Sequence, residues 1–207
     1  MCETRLIPKI DNILCTNQFV FRKYLIISDA IIEFIEYIYL SLDSKQSTIA
    51  VYLDFSKAFD TVNRNILMSK LLLNGVKGVM QHWFESYLSS RKQYVTIKNC
   101  SSSMSNITLG VPQGSVLCPV LFILYINGMY GSSNQMRFVH FADDTRVFSF
   151  ASDINNVHVT VNSELIGVDN WLKANTLSLN VSKISRFENS RFNSYKSLNN
   201  QIPWCYT

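Results

Sequence analysis

Met136-Arg-Phe-Val-His-Phe-Ala-Asp-Asp-Thr-Arg-Val-Phe-Ser-Phe150 decides the fold. β-branched and aromatic residues flank a pair of aspartates, which predicts two strands around a tight turn at Asp143-Asp144. Adjacent carboxylates between apolar strands repel each other, and gathering them costs energy unless cations neutralise the cluster. Taken alone, the dipeptide reads as a solvated turn. Upstream, Thr48-Ile-Ala-Val-Tyr-Leu-Asp-Phe55 reads as a further strand ending in a third acid, Asp54. Three acids at strand ends would complete a site for two divalent cations, the arrangement that stabilises attacking and leaving oxygens in an in-line phosphoryl displacement. Hard oxygen ligands on a rigid sheet suit Mg²⁺.

Working outward, the chain alternates helices and strands in an α+β pattern. Ser28 is positioned to cap a helix running to about Leu42, with Ile31, Phe34, Ile35 and Ile38 on one face. Asn65–Asn74 reads as a helix stopped by Gly75, and Gly78–Ser89 as another, with Val79, Trp83 and Tyr87 about a turn apart. Gln93–Lys98 predicts a short strand. Ser115 starts an apolar helix in which Pro119 fits only near the first turn. Ser152 can cap a long helix with Ile154, Val157, Val161, Leu165, Val168 and Leu172 spaced by three or four, and Leu177–Leu179 is a short strand. No Asp, Glu, Lys or Arg occurs between Lys98 and Arg137, which predicts burial of that stretch. After Lys183 periodicity is lost.

The 207 residues are 47% hydrophobic and 16% charged, against about a quarter charged in ordinary soluble domains. That excludes a disordered chain. The net charge of +4 permits a polyanionic partner without demanding one. A basic run, Lys57, Arg64, Lys70, Lys77, Arg91, Lys92 and Lys98, fits either phosphate contacts or solvated helix faces. Five scattered cysteines without a CxxC pair indicate neither zinc nor a disulfide framework. No signal peptide and no apolar run of about 20 residues is seen, so an intracellular, membrane-free setting is expected.

Asp54-Phe-Ser-Lys-Ala-Phe-Asp-Thr-Val62, Gly110-Val-Pro-Gln-Gly-Ser-Val-Leu117, Phe141-Ala-Asp-Asp-Thr145 and Leu177-Ser-Leu-Asn-Val-Ser-Lys183 resemble, in order, four palm motifs of reverse transcriptases from non-LTR retrotransposons, the LINE-like and jockey-like elements. The resemblance runs from about Gln18 to Lys183. It implies a right-hand polymerase palm with partial fingers, an antiparallel sheet packed on helices, and no thumb. Residues 1–47 would form partial fingers and an N-terminal helix, 48–187 the palm with inserted fingers-proximal helices, and 188–207 a degenerate, disordered tail. The implied activity is RNA-directed DNA polymerisation: two Mg²⁺ ions, with Mn²⁺ as a substitute, transfer a dNTP to a DNA primer 3′-OH on an RNA template. Asp54, Asp143, Asp144 and the Phe55 carbonyl would hold the metals, and Lys183 would act on the triphosphate and departing pyrophosphate. Phe59 would be the steric gate against a ribose 2′-OH, Gln113 and Gly114 would lie against the nucleotide, and Arg22, in Gln18-Phe-Val-Phe-Arg22, would contact the triphosphate.

The pattern departs from the family at several points. Val20 stands for a usual Gly, Leu25-Ile26-Ile27 for a Gly, Ser and Thr run, Cys118 for Gly, Asn127-Gly128 for Asn-Asp, and Ile184 for Thr. The chain thus resembles a truncated copy lacking the thumb and endonuclease regions of a longer element protein. Two other readings stay open: a catalytically inactive relic that only binds RNA or DNA, and a different two-metal enzyme such as a nuclease.

Overall fold

The computed structural model describes residues 13–20, 22 and 25–189. Its elements, in chain order, are α1 (Ile27–Asp43), β1 (Ser47–Asp54), α2 (Ala58–Thr61), α3 (Arg64–Leu73), α4 (Val79–Leu88), β2 (Lys92–Gln93), β3 (Thr96–Ile97), β4 (Cys100–Ser101), β5 (Ser105–Asn106), α5 (Leu117–Ile126), β6 (Arg137–Phe141), β7 (Asp144–Ala151), α6 (Ile154–Ala174) and β8 (Ser185–Asn189). Short 3₁₀ turns occupy Asn127–Ser132 and Val181–Lys183. The chain separates into two compact units, one built from Leu14–Ala58 and the stretch from Ile126 onward, the other around Phe59–Tyr125.

The first unit is organised by an antiparallel sheet of order β6-β7-β1-β8. The central strand β1 is buried at almost every position because both faces of the sheet are covered. Ala50, Val139 and Phe148 point to one face and pack with Ala30 and Phe34 of α1 and with Phe19. The opposite pleat, with Ile49, Val51, Leu53 and Val147, is equally buried on the side of α6, whose Val157, Val161, Leu165, Val168 and Leu172 form the expected inward stripe. Burying each such side chain stabilises the fold by about 1.5–3 kcal/mol before entropy is counted.

Several expectations are corrected. α1 starts one residue before Ser28, and its first turn is capped by the Asp29 carboxylate, which accepts from the Ile26 N–H at 2.7 Å. Its buried face is Ala30, Phe34 and Ser41, while Ile31 and Ile35 remain 41% and 42% exposed. The wide apolar arc of this helix exceeds what one sheet can cover. α6 is capped by Asp153, which accepts from the Asn155 N–H, and not by Ser152. In α4 the buried residues are Phe84 and Leu88, and Val79 is 87% exposed. The charge-free stretch is buried along α5 and at scattered positions such as Val111, Met129 and Met136, whereas residues 99–106 are exposed, their Ser and Asn side chains being polar without charge. Gln93–Lys98 splits between two-residue pairings, β2 with β5 and β3 with β4.

The pattern does not dissolve after Lys183. Ser185–Asn189 pairs with Thr48–Tyr52 as β8. Phe187 joins the cluster under α1. Arg186 and Glu188 face the other way, where Arg186 donates to the His158 ring and Glu188 lies 3.4 Å from His158 and 3.6 Å from Arg186. Glu188 and Asn189, assigned above to the tail, therefore belong to the sheet, and 190–207 lie outside the described residues, as do Cys2 and Cys205. Cys15, Cys100 and Cys118 are free thiols. Among the described residues no helix is long and apolar enough to cross a membrane.

Candidate active site

The carboxylates meet at one end of the sheet. Asp54 is the last residue of β1, Asp144 the first of β7, and the two are Cα partners across these hydrogen-bonded neighbours. Phe141 pairs with Asp144, so the hairpin turn is Ala142-Asp143, one residue earlier than its sequence suggests. Ala142 takes a left-handed φ of +54°, a conformation costly for any residue with a Cβ but least crowded for a small one. Asp144 and Asp54 share the pleat of Arg146 and Tyr52, themselves cross-strand partners.

Residues 177–180 run alongside the end of β1. Ser56 N–H donates to the Ser178 carbonyl and Asn180 N–H to the Asp54 carbonyl, both at 2.8 Å, around a Phe55–Leu179 bridge. This seam delivers the 3₁₀ turn that carries Lys183, whose Nζ lies 3.4 Å from Asp54 Oδ1. Tyr52, Leu53, Asp54, Asp144, Thr145, Arg146 and Lys183 line a pocket of about 220 Å³. Behind the hairpin, buried His140 shares a 2.9 Å hydrogen bond with Thr145, and burial pushes its pKa down to about 4, keeping the ring neutral.

Burial raises the Asp144 pKa above the ordinary carboxylate value, and the charges of Asp143 and Asp54 raise it further, against the opposing pull of Arg146 and Lys183. The sign follows from linkage. The folded chain binds this proton more tightly than the unfolded one, so the associated stability is present in acid and lost as pH rises through the carboxylate range. Asp144→Asn is therefore expected to raise Tm at pH 7 in EDTA by about 1–3 °C, a gain that shrinks below about pH 4. Thermal melts across pH check this, and an Asn variant less stable at every pH contradicts it.

This donor set suits a hard cation: carboxylate oxygens in register, mutual repulsion, and an ammonium already drawn against Asp54. Among the described residues, however, no group of three or more His, Cys, Asp or Glu is gathered closely enough to hold a metal as the side chains stand. Asp54 and Asp144 are brought together; Asp143 adds its charge from the turn.

The Phe59–Tyr125 unit carries the other predicted site residues. Its central feature is the 107–116 loop, bolted to the segment that begins at Phe59. Gly110 N–H donates to the Val62 carbonyl at 2.8 Å and Val111 N–H to the Phe59 carbonyl at 2.9 Å. Gly110 has φ +78°, and a Cβ there would come within 2.8 Å of the Asp60 carbonyl oxygen. The Gln113 amide donates to Asp60 Oδ1 at 2.7 Å. Ser115 accepts from the Cys118 N–H at 3.1 Å just ahead of α5, which starts at Leu117, two residues later than the sequence suggests. Phe59 packs on Phe122 with ring centroids 4.6 Å apart. Phe59, Gln113, Gly114, Ser115, Val116, Cys118 and Pro119 line a groove of about 430 Å³, and burial and Asp60 push the Cys118 thiol pKa up.

Cations are used differently from the sequence expectation. Arg22 donates to the Cys15 carbonyl at 3.1 Å and is not among the residues lining the carboxylate pocket. Arg64 donates to the carbonyls of Ile107, Leu109 and Gly110, and Lys70 to that of Tyr125, with burial lowering the Lys70 pKa to about 8. These two members of the basic run brace protein backbone. Sequence reasoning missed Arg146 and Asp60. The period-2 spacing of Arg146 from Asp144 was the available signal for the first; nothing local marked the second.

A family model described as reverse transcriptase (RNA-dependent DNA polymerase) matches residues 1–197. The chain is 33% identical over 123 residues to the probable RNA-directed DNA polymerase from transposon X-element of Drosophila melanogaster, covering 55% of this chain and 13% of that protein. It is 28% identical over 189 residues to the RNA-directed DNA polymerase from mobile element jockey of Drosophila funebris, covering 87% of this chain and 20% of that protein. The chain thus spans a fifth or less of the length of these relatives. Among solved structures, apo telomerase from Candida tropicalis truncated from its C-terminal domain superposes with a TM-score of 0.67 at 12% identity, covering 95% of this chain and 42% of that one. Telomerase from Candida albicans, in complex with a fragment of telomeric RNA, gives 0.63 at 14% identity over 92% of this chain and 35% of that one. At such identities the likeness is one of fold, an α+β polymerase palm and fingers.

Proposed function

Since the chain belongs to the reverse transcriptase (RNA-dependent DNA polymerase) family, we propose that it supplies the palm of a retrotransposon polymerase and adds deoxynucleotides to a DNA primer 3′-OH opposite an RNA template. The observation that carries this reading is the cross-strand pairing of Asp54 with Asp144, with Asp143 in the adjoining turn and Lys183 against Asp54. Asp54, Asp143, Asp144 and the Phe55 carbonyl would hold two Mg²⁺ ions, or Mn²⁺ in their place. Bound there, the ions would acidify the primer hydroxyl and neutralise charge on the phosphoryl group in transfer.

The chain's own residues then position and screen. Lys183, 64% exposed on a short turn, leaves Asp54 for the triphosphate and donates a proton to the departing pyrophosphate. Arg22 would add a second cation only after leaving the Cys15 carbonyl. Gln113 and Gly114 would lie along the nucleotide, and Phe59 would fill the space that a 2′-OH needs. Phe59→Ala is expected to raise ribonucleotide incorporation by about 10–100-fold relative to deoxynucleotide. Single-nucleotide extension with dTTP and UTP measures the ratio, and an unchanged ratio removes Phe59 from this role.

The test of the function is extension of an oligo(dT) primer on poly(rA) with dTTP and Mg²⁺, with Asp143→Asn as the control. One observation favours a second reading, nucleic-acid binding without catalysis: the carboxylates stand paired with a lysine and are not gathered as a three-residue metal group. Absence of extension by the parent, with salt-sensitive RNA binding retained, would select it.

A further inference from the structure

The loop between β5 and α5 has no ladder to satisfy its backbone, yet its carbonyls need partners. One side chain supplies them. Arg64 donates from Nη1 to the Ile107 carbonyl at 2.8 Å, from Nη2 to Leu109 at 3.0 Å and from Nε to Gly110 at 3.2 Å. Arg64 is itself held at the first position of α3, whose cap Asn63 accepts from the N–H groups of Asn65 and Ile66 at 3.0 and 3.3 Å. From the other direction, the Gly110 and Val111 amides donate to Val62 and Phe59, and Gln113 to Asp60. The guanidinium thus locks together the two segments that line the 430 Å³ groove: one begins at Phe59, the other carries Gln113 and Gly114.

We propose that Arg64 is a positioning residue for the nucleotide-facing groove, acting through the Ile107–Gly110 carbonyls to fix Gln113 and Phe59 relative to each other. This rests on the polymerase reading above. Charge alone does not suffice for the role. A planar fork reaches three carbonyls spread over four residues, whereas an ammonium at the end of a flexible stem satisfies one of them and leaves the others to water. Arg64 is not among the residues lining the carboxylate pocket, so its loss should alter how nucleotide is held more than how fast the bond forms.

The test compares the parent chain with Arg64→Lys. In hydrogen exchange, the Gly110 and Val111 amides should exchange about tenfold faster in the variant, while amides of β1 and β7 stay unchanged. In primer extension, KM for dTTP should rise about tenfold with kcat within about twofold. Combined with Gln113→Ala, Arg64→Lys should add little further, because both act on one loop. Unchanged exchange at Gly110 and Val111 overturns the assignment. So does faster exchange or a lower Tm with KM unchanged, which would make Arg64 a merely structural brace. A parent that extends primers while Arg64→Lys keeps its KM leaves the polymerase reading standing; a parent that never extends removes that reading and this role with it.

Discussion

Asp54→Asn is expected to end primer extension, by about 10³-fold or more, while the chain stays folded. Asp54 sits at the meeting of three elements, opposite Asp144 on β7 and against Lys183 from the Val181–Lys183 turn. An amide in its place keeps the shape and removes the charge, so in the proposed mechanism the site would lose an anionic metal ligand as well as the partner that places Lys183. The stability cost is small for a distinct reason. The Asp54–Lys183 pair is 3.4 Å apart and its lysine is 64% exposed, and such surface pairs contribute about 0–1 kcal/mol. Extension assays beside thermal melts separate the two effects. Retained extension in Asp54→Asn or Asp143→Asn would end the carboxylate mechanism, whereas lost extension with a collapsed Tm would say only that the fold had failed.

Gly110→Ala should be the most damaging small substitution in the Phe59–Tyr125 unit. Two penalties coincide there: φ is +78°, and a methyl would meet the Asp60 carbonyl oxygen at 2.8 Å and its Cα at 2.9 Å. Both obstacles are backbone, so they yield only by breaking the Gly110–Val62 and Val111–Phe59 hydrogen bonds. A cost of about 3 kcal/mol or more is expected, equivalent to a fall in Tm of roughly 6–12 °C. Gly114→Ala is the internal control. Its φ of +80° is as unusual, but nothing lies within 4 Å of the added carbon, so only the conformational penalty of about 1–2 kcal/mol remains. Equal losses at the two positions would refute the close-approach argument.

The parts of this molecule written in local chemistry were readable beforehand. The β1 strand and its terminal Asp54, the aspartate hairpin, the long helix from Ile154 and the start of the apolar helix near Ser115 all follow from periodicity or turn chemistry, and the structure has them within a residue or two. What escaped depends on partners distant in sequence. β8 hides because its inward residues on one face are Arg186 and Glu188, made acceptable by His158 across the gap. Arg64 and Lys70 look like phosphate-binding residues until the carbonyls they reach, more than forty positions away, are known. Charge-free did not mean buried for residues 99–106, because serine and asparagine are neutral yet well hydrated. At the site, the acids were legible as residue types, but their pairing across β1 and β7, and the intrusion of Arg146 beside them, are consequences of register.

β8 has a practical bearing on how this polypeptide tolerates shortening. It supplies the outer partner of Thr48–Tyr52, a stretch of β-branched and aromatic residues on the strand that carries Asp54. A fragment cut after Lys183 would keep Asp54, Asp143 and Asp144 yet strip that flank, leaving unsatisfied backbone groups ready to recruit a neighbouring molecule. Such a product would precipitate before its chemistry could be assayed, and its silence would be mistaken for a dead enzyme.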